Sequence, residues 1–208
     1  DLNLNCGASY LIEEKTGKWY NLNENPIEIK INWNETTNTT VENELKKSQI
    51  KIIKVDKENH EVKLKDVELE VLDKDGNVLE KLKTDKNGEC YTKRYAVRDY
   101  PELYIRETKT NEKYVLDTEM KKITLKENEI VNYTFENQKI YGQIKVIKTS
   151  EEDNKINGDK KGTPIPNVSF GVYDENKNFI EKITTGEDGI AITSKLEKGK
   201  KYIKELEG

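Results

Sequence analysis

Hydrophobic and polar residues alternate along most of this chain with a period of two. Ile, Val, Tyr and Leu alternate with Lys and Glu most clearly at 49–55, 67–72, 78–83, 102–108 and 129–136. A period of two puts one set of side chains on one face of an extended strand, so these segments are predicted strands. Turn sequences separate them: Asp73-Lys-Asp-Gly-Asn77, Asp85-Lys-Asn-Gly88 and Lys126-Glu-Asn128. Asn-Gly and Asp-Gly suit hairpins because these residue types tolerate positive φ. No long segment carries a helical apolar stripe. Short strands with frequent turns predict an all-β chain of antiparallel β-sandwich modules.

Three landmarks return after 94 residues. Tyr10-Leu-Ile-Glu13 returns as Tyr104-Ile-Arg-Glu107, with Tyr20 and Tyr114 in the same register. Asn43 in Thr-Val-Glu-Asn returns as Asn137 in Thr-Phe-Glu-Asn, and Lys54 in Gln-Ile-Lys-Ile-Ile-Lys returns as Lys148 in Gln-Ile-Lys-Val-Ile-Lys. A third glutamate motif, Tyr202-Ile-Lys-Glu205, follows the second by 98 residues. A repeat of this length is a small domain in tandem array. The order lysine, glutamate, asparagine gives one complete module at 48–139, the C-terminal part of another at 1–47 and the N-terminal part of a third at 140–208. The chain therefore reads as a segment of a longer protein. No Pro-, Gly- or Ser-rich linker separates the copies, and Gln138-Lys-Ile-Tyr-Gly142 leads directly from one into the next. Such joints favour a stiff rod over tethered beads.

The alternation also aims three polar residues at the core. Ile50, Ile52 and Lys54 share a face, as do Leu103, Ile105 and Glu107, and as do Val131, Tyr133, Phe135 and Asn137. The partial copies repeat the pattern with Leu11 and Glu13, Val41 and Asn43, Ile144, Val146 and Lys148, and Ile203 and Glu205. Asn43 here lacks a partner lysine, and Lys148 lacks a partner asparagine. Buried charges must be paired or neutralised. One reading of the trio is a hydrogen-bonded ion pair beside an amide. The other is a reaction: in an apolar site a lysine's pKa falls and a carboxylic acid's rises, so neutral amine and neutral acid coexist. The amine is then a nucleophile, and the acid polarises the asparagine carbonyl and passes protons to departing ammonia. The product is an isopeptide bond joining the first strand to the last.

Composition narrows the class. Hydrophobic residues make up 33% and charged residues 37%, near the lower limit for burying a core. Small lean modules often need a staple. Cys6 and Cys90 fall in different copies at non-equivalent positions, so they read as two free thiols rather than a bridge. The net charge of −4 arises from 36 basic and 40 acidic residues mixed along the chain, with no basic stripe for nucleic acid. No stretch approaches a membrane span or a signal peptide, so no membrane insertion is expected in this segment.

The motifs Ile53-Lys-Val-Asp56, Tyr104-Ile-Arg-Glu-Thr108 with Tyr114 seven residues past the glutamate, and Phe135-Glu-Asn137 resemble those of the Cna B-type module. This family, also called SpaA-like prealbumin-fold domains, builds stalks of Gram-positive surface adhesins and pilins. The stretches Leu64–Gly76 and Ile165–Asp174 resemble its second-strand hairpin. The resemblance implies a prealbumin/Ig-like sandwich in which Lys54 bonds to Asn137 with Glu107 as the catalytic acid. Glu13 and Glu205 are the equivalent acids of the partial modules. Two features depart from the family pattern: its Pro between the glutamate and the Tyr is missing, and Lys148-Thr-Ser stands where Lys-x-Asp is expected.

Other constellations read as ordinary. Asp73, Asp75 and Asn77 form a hairpin turn rather than a calcium loop, because the glycine is misplaced for an EF-hand. His60, the only histidine, sits in a polar loop without a nucleophile or second His, against hydrolytic triads and zinc sites. The sequons at Asn34 and Asn38 are chance matches in a chain rich in Asn and Thr, and Trp19 and Trp33 read as core or joint residues. The expectation is a stalk of an extracellular, cell-wall-anchored Gram-positive surface protein, without cofactor or metal. It is not an enzyme beyond a single self-cross-linking event. Its partners are neighbouring modules of the chain, with host extracellular matrix reached through a domain outside this segment. The alternative is a module that itself binds a host matrix protein or glycan.

Overall fold

The computed structural model describes residues 8–206. All regular structure among them is strand, and it divides into two compact units. The first takes in residues up to Val55, Asn59–Thr110 and Leu116–Glu136; the second takes in Asp56–Glu58, Asn111–Val115 and the chain from Asn137 onward.

In the first unit, β1 (Ala8–Leu11) and β2 (Ile27–Lys30) form a hairpin that precedes a two-sheet body. One sheet centres on β3 (Lys47–Asp56), with β6 (Glu89–Tyr91) on one side, β10 (Ile130–Asn137) on the other and β7 (Tyr95–Ala96) against its start. The second sheet has the order β5 (Val78–Lys83), β4 (Glu68–Leu72), β8 (Glu102–Lys109), β9 (Lys121–Thr124). The core between them draws Ile50 and Ile52 from β3, Phe135 from β10, Leu69 and Val71 from β4, Leu103 and Ile105 from β8 and Ile123 from β9, all buried. Each such side chain contributes about 1.5–3 kcal/mol by leaving water.

Strands β3 and β10 run in the same direction, which alternation alone does not show. Gln49 N donates to Glu129 O (3.1 Å) and Lys57 N to Asn137 O (3.0 Å), both donors lying 80 residues before their acceptors. A constant difference of this kind belongs to a parallel pair, so this one ladder departs from the antiparallel expectation. Val55 also breaks the predicted alternation: it follows Lys54 yet is buried.

The second unit repeats parts of this plan. Strand β12 (Lys145–Ile147) pairs with β15 (Ile190–Ile192), as β3 pairs with β6. Strands β14 (Phe179–Thr184), β13 (Ser169–Tyr173) and β17 (Tyr202–Glu205) mirror β5, β4 and β8, down to a register shift at Val172/Tyr173 matching that at Val71/Leu72. A short pair, β11 (Tyr141–Gly142) with β16 (Leu196–Glu197), completes it. Its core is Phe170, Val172, Ile183, Ala191 and Leu196.

Cys90 is a free, buried thiol on β6, and burial pushes its pKa up to about 12. Cys6 lies outside the described residues. The folded chain should therefore leave Cys90 unalkylated by iodoacetamide at pH near 8, where the reactive thiolate is scarce. Peptide mapping after native and denatured labelling checks this, and native labelling of Cys90 at the rate of an open thiol would contradict the β3–β6 packing.

Candidate functional site

The facing sheets carry the two charged residues of the site on alternating positions. Lys54 follows Ile50 and Ile52 along β3, and Glu107 follows Leu103 and Ile105 along β8. Lys54 Nζ lies 2.6 Å from Glu107 Oε2, and both side chains are wholly buried. The same Nζ sits 4.9 Å from the centre of the Phe135 ring. The lysine backbone is held on both sides: its N donates to Gly88 O at 2.7 Å, and its O accepts from Leu64 N at 3.0 Å. Burial lowers the Lys54 pKa, against the raising pull of Glu107 and a smaller one from Asp117. Its amine thus loses a proton more readily than an ordinary lysine does.

Asn137 is the last residue of β10, the neighbour of β3, and is 1% exposed. It lies two residues past Phe135, on the same face of the strand. Lys54 and Glu107 are therefore brought together, and the asparagine is buried at the end of the adjoining strand.

Asp56, quoted in the sequence only as part of a motif, and Lys139 were not named there as site residues. Asp56, wholly buried, accepts from Glu58 N at 2.7 Å and from the Tyr114 hydroxyl at 2.8 Å. Lys139 Nζ lies 3.4 Å from Asp56 Oδ2 and 2.7 Å from Glu197 Oε1. The signal for Asp56 was its position two residues past Lys54, on the same face. Lys139 lies beyond the last strand of the module, where periodicity gives no direction. Burial and the bond to Asp56 push the Tyr114 hydroxyl up to about 12.

The partial copies assemble pieces of the same trio, but not as buried groups. Asn43 Nδ2 donates to Glu13 Oε2 at 2.6 Å, to Asn21 O at 2.9 Å and to Thr16 Oγ1 at 3.1 Å. Asn23 N donates to Glu13 at 2.8 Å, and these bonds, that from Asn23 foremost, hold the Glu13 pKa below its usual range. Lys148 Nζ lies 2.9 Å from Glu205 Oε2, with the side chains 32% and 52% exposed. The expectation that these residues point into a core is thus corrected. Leu11, Val41 and Ile203 are exposed, whereas Ile144 and Val146 do pack against the second unit's core.

Other residues sort simply. Asp73 Oδ1 accepts from Asp75 N and Asn77 N, both at 2.9 Å, so its carboxylate caps the hairpin turn. His60 Nε2 meets Glu136 Oε1 at 2.8 Å on the surface. Trp33 is 77% exposed, correcting its placement in a core or joint, whereas Trp19 is half-buried with Lys18 Nζ 4.5 Å from its ring.

A family model described as SpaA, prealbumin-like fold domain, matches residues 48–139 and again residues 142–208. Among solved structures, the Bacillus anthracis TIE protein is similar over 97% of this chain at 26% identity, with a TM-score of 0.78. The match takes in 36% of that protein, so this chain spans about a third of its length. A streptococcal ancillary pilin is similar over 97% of this chain and 66% of its own, at 20% identity and a TM-score of 0.41. BcpA, the major pilin subunit of Bacillus cereus, is similar over 71% of this chain and 56% of its own, at 17% identity and a TM-score of 0.43. No curated protein matches.

The Tyr114–Asp56 bond sets an alkaline limit. Tyr114 ionises near 10.0 when unfolded and near 12 when folded. Between those values the unfolded chain gives up a proton that the folded chain keeps, so stability present below pH 10 is lost as the pH climbs towards 12. Tyr114→Phe should cost on the order of 1 kcal/mol at neutral pH. It should also flatten the fall in melting temperature across that window, read as the difference from wild type because Cys90 shares the range.

Proposed function

The chain belongs to the SpaA prealbumin-like fold domain family, and we propose that it serves as a structural stalk region of a Gram-positive cell-surface adhesin or pilin, stabilised by a self-formed isopeptide bond between Lys54 and Asn137. The observation that carries this reading is the 2.6 Å approach of two wholly buried charged side chains, Lys54 and Glu107. Desolvating two charges costs several kcal/mol per ion, and an apolar replacement is often no less stable. A pair retained in so lean a core therefore asks for a chemical reason.

The chemistry follows from the environment. Proton transfer from Lys54 to Glu107 leaves a neutral amine and a neutral acid. The Glu107 hydroxyl donates to the Asn137 side-chain carbonyl and makes its carbon electrophilic, while Lys54 Nζ attacks that carbon. A C–N bond forms to Nζ, the C–N bond to the asparagine amide nitrogen breaks, and Glu107 relays the lysine proton to it. Ammonia leaves, and Glu107 stays the neutral acid it became on taking the first lysine proton. The event happens once per module, so the chain has no turnover.

The mechanical consequence follows from topology. Lys54 stands near the end of β3 and Asn137 at the end of β10. Load entering at the start of β3 would cross at the bond and leave after Asn137, bypassing β4 to β9. That suits a wall-anchored extracellular rod holding a distal domain away from the cell, with neighbouring modules of the same chain as its contacts and host matrix met beyond this segment.

Two measurements test the reading. The intact mass of the chain should be lower than its composition requires by one ammonia, with a Lys54–Asn137 branched peptide after digestion, and Glu107→Ala should restore full mass. A full mass in the wild type would falsify the cross-link and leave an ion pair. The bond would close a loop of 83 residues, which on the disulfide model restricts the unfolded chain by about 4.5 kcal/mol. Asn137→Ala, which spares the Lys54–Glu107 pair, should lower the melting temperature by roughly 20 °C or more and open the module to trypsin. Equal melting and digestion would show that the staple is not what stabilises it.

A further inference from the structure

The turn after β5 closes directly on the backbone of the reactive lysine. Gly88 sits opposite Lys54 where the β3–β6 ladder would continue, since Ile53 pairs with Glu89 and Ile52 with Cys90. It has φ +70°, and a Cβ placed there would lie 2.6 Å from Lys54 O, 3.0 Å from Leu64 N and 3.1 Å from Lys63 Cβ. Two of those three neighbours are backbone atoms and cannot swing aside. The Lys54 peptide is thereby clamped, with its N bonded to Gly88 O and its O to Leu64 N.

The third copy repeats the clamp in a different local sequence. Gly189 has φ +71°, and its added Cβ would lie 2.5 Å from Lys148 O and 3.1 Å from Ile165 N. Lys148 N donates to Gly189 O at 2.8 Å, and Ile165 N to Lys148 O at 3.0 Å. The two turns, Asp85-Lys-Asn-Gly88 and Gly186-Glu-Asp-Gly189, share only the final glycine. What recurs is a bare α-carbon pressed against the lysine carbonyl.

We propose that Gly88 is a positioning residue for the Lys54–Asn137 cross-link: its missing side chain lets the 85–88 turn fix the Lys54 backbone at the height from which Nζ meets Glu107. This rests on the isopeptide reading above. To accept a Cβ at Gly88, the Lys54 carbonyl must retreat from 2.6 Å to the ordinary contact limit of 3.4 Å. The lysine starts from a backbone fixed at one end of a long side chain, so the shift carries to Nζ. A misplacement of about 1 Å costs on the order of a hundredfold in rate.

Gly76 supplies the control. It has φ +84° but nothing within 4 Å of an added Cβ, so Gly76→Ala brings the same left-handed strain without the contact. The test follows the intact mass of the full chain over time after synthesis, with folding monitored by circular dichroism. Wild type and Gly76→Ala should lose ammonia at similar rates, and folded Gly88→Ala about a hundredfold more slowly. Gly88→Asn, a residue type that tolerates positive φ and carries the same Cβ, should be slow as well and is read if Gly88→Ala does not fold. Wild-type rates in folded Gly88 variants would overturn the proposal, as would equal slowing in Gly76→Ala or a failure of both Gly88 variants to fold. A wild type that never loses ammonia would instead overturn the isopeptide reading beneath it.

Discussion

The contact between Lys54 and Glu107 constrains the first unit more tightly than any apolar pair in it. Leu103 or Ile105 could shift by a fraction of an ångström and keep most of its burial, because hydrophobic attraction has no direction. A buried amine and carboxyl have no such latitude: separated, each would be left desolvated without its partner. The registers of β3, of β8 and of the facing sheets must all agree for Nζ and Oε2 to meet at 2.6 Å. A slip of one residue in either strand would turn the charge to the opposite face. The pair therefore reports the alignment of the whole sandwich.

The partial copies show what enclosure adds. Lys148 and Glu205 approach to 2.9 Å, much as Lys54 and Glu107 do, but water reaches both. Exposed pairs of that kind contribute about 0–1 kcal/mol. Glu13 holds Asn43 in a hydrogen bond, yet the bonds it accepts favour its ionised form. The acid the proposed chemistry requires is a protonated one. Residue identity and spacing are shared among the copies, whereas the low-dielectric surroundings belong to the complete one. Desolvation of the lysine needs the Phe135 side of β10 and the facing β8 together.

How much of this was legible in the sequence follows from which forces write themselves locally. Long amphipathic strands did: the alternation at 49–55, 78–83 and 102–108 lies within β3, β5 and β8 with ends shifted by at most two residues. Lys54 and Glu107 were legible for the same reason, as polar residues on an apolar face. Strands of two to four residues, such as β6, β7 and β9, hold too few alternations to register. The direction of β10 relative to β3 was hidden because a single strand's pattern is the same for parallel and antiparallel neighbours. Trp33 was misplaced because size and apolarity favour burial only where a second layer is available to cover them.

The devices that recur outside the strands explain how a lean chain holds that alignment. Thr84 Oγ1 donates to Leu64 O and accepts from Val67 N, and Thr185 does the same with Ile165 O and Val168 N. Thr92 accepts from Ile50 N within β3, and Thr193 from Ile144 N just before β12. Glu80 accepts from Lys93 N and Glu181 from Ser194 N, tying a corner to the neighbouring strand. All four threonine hydroxyls are on buried residues, where an unmet backbone N–H would cost about 1–3 kcal/mol. With few large apolar side chains to fix the layers, short polar staples to the backbone fix them instead. They tie β3 and the hairpin beside it to neighbouring backbone. The bonded loops, rather than the size of the core, therefore set where Lys54 stands.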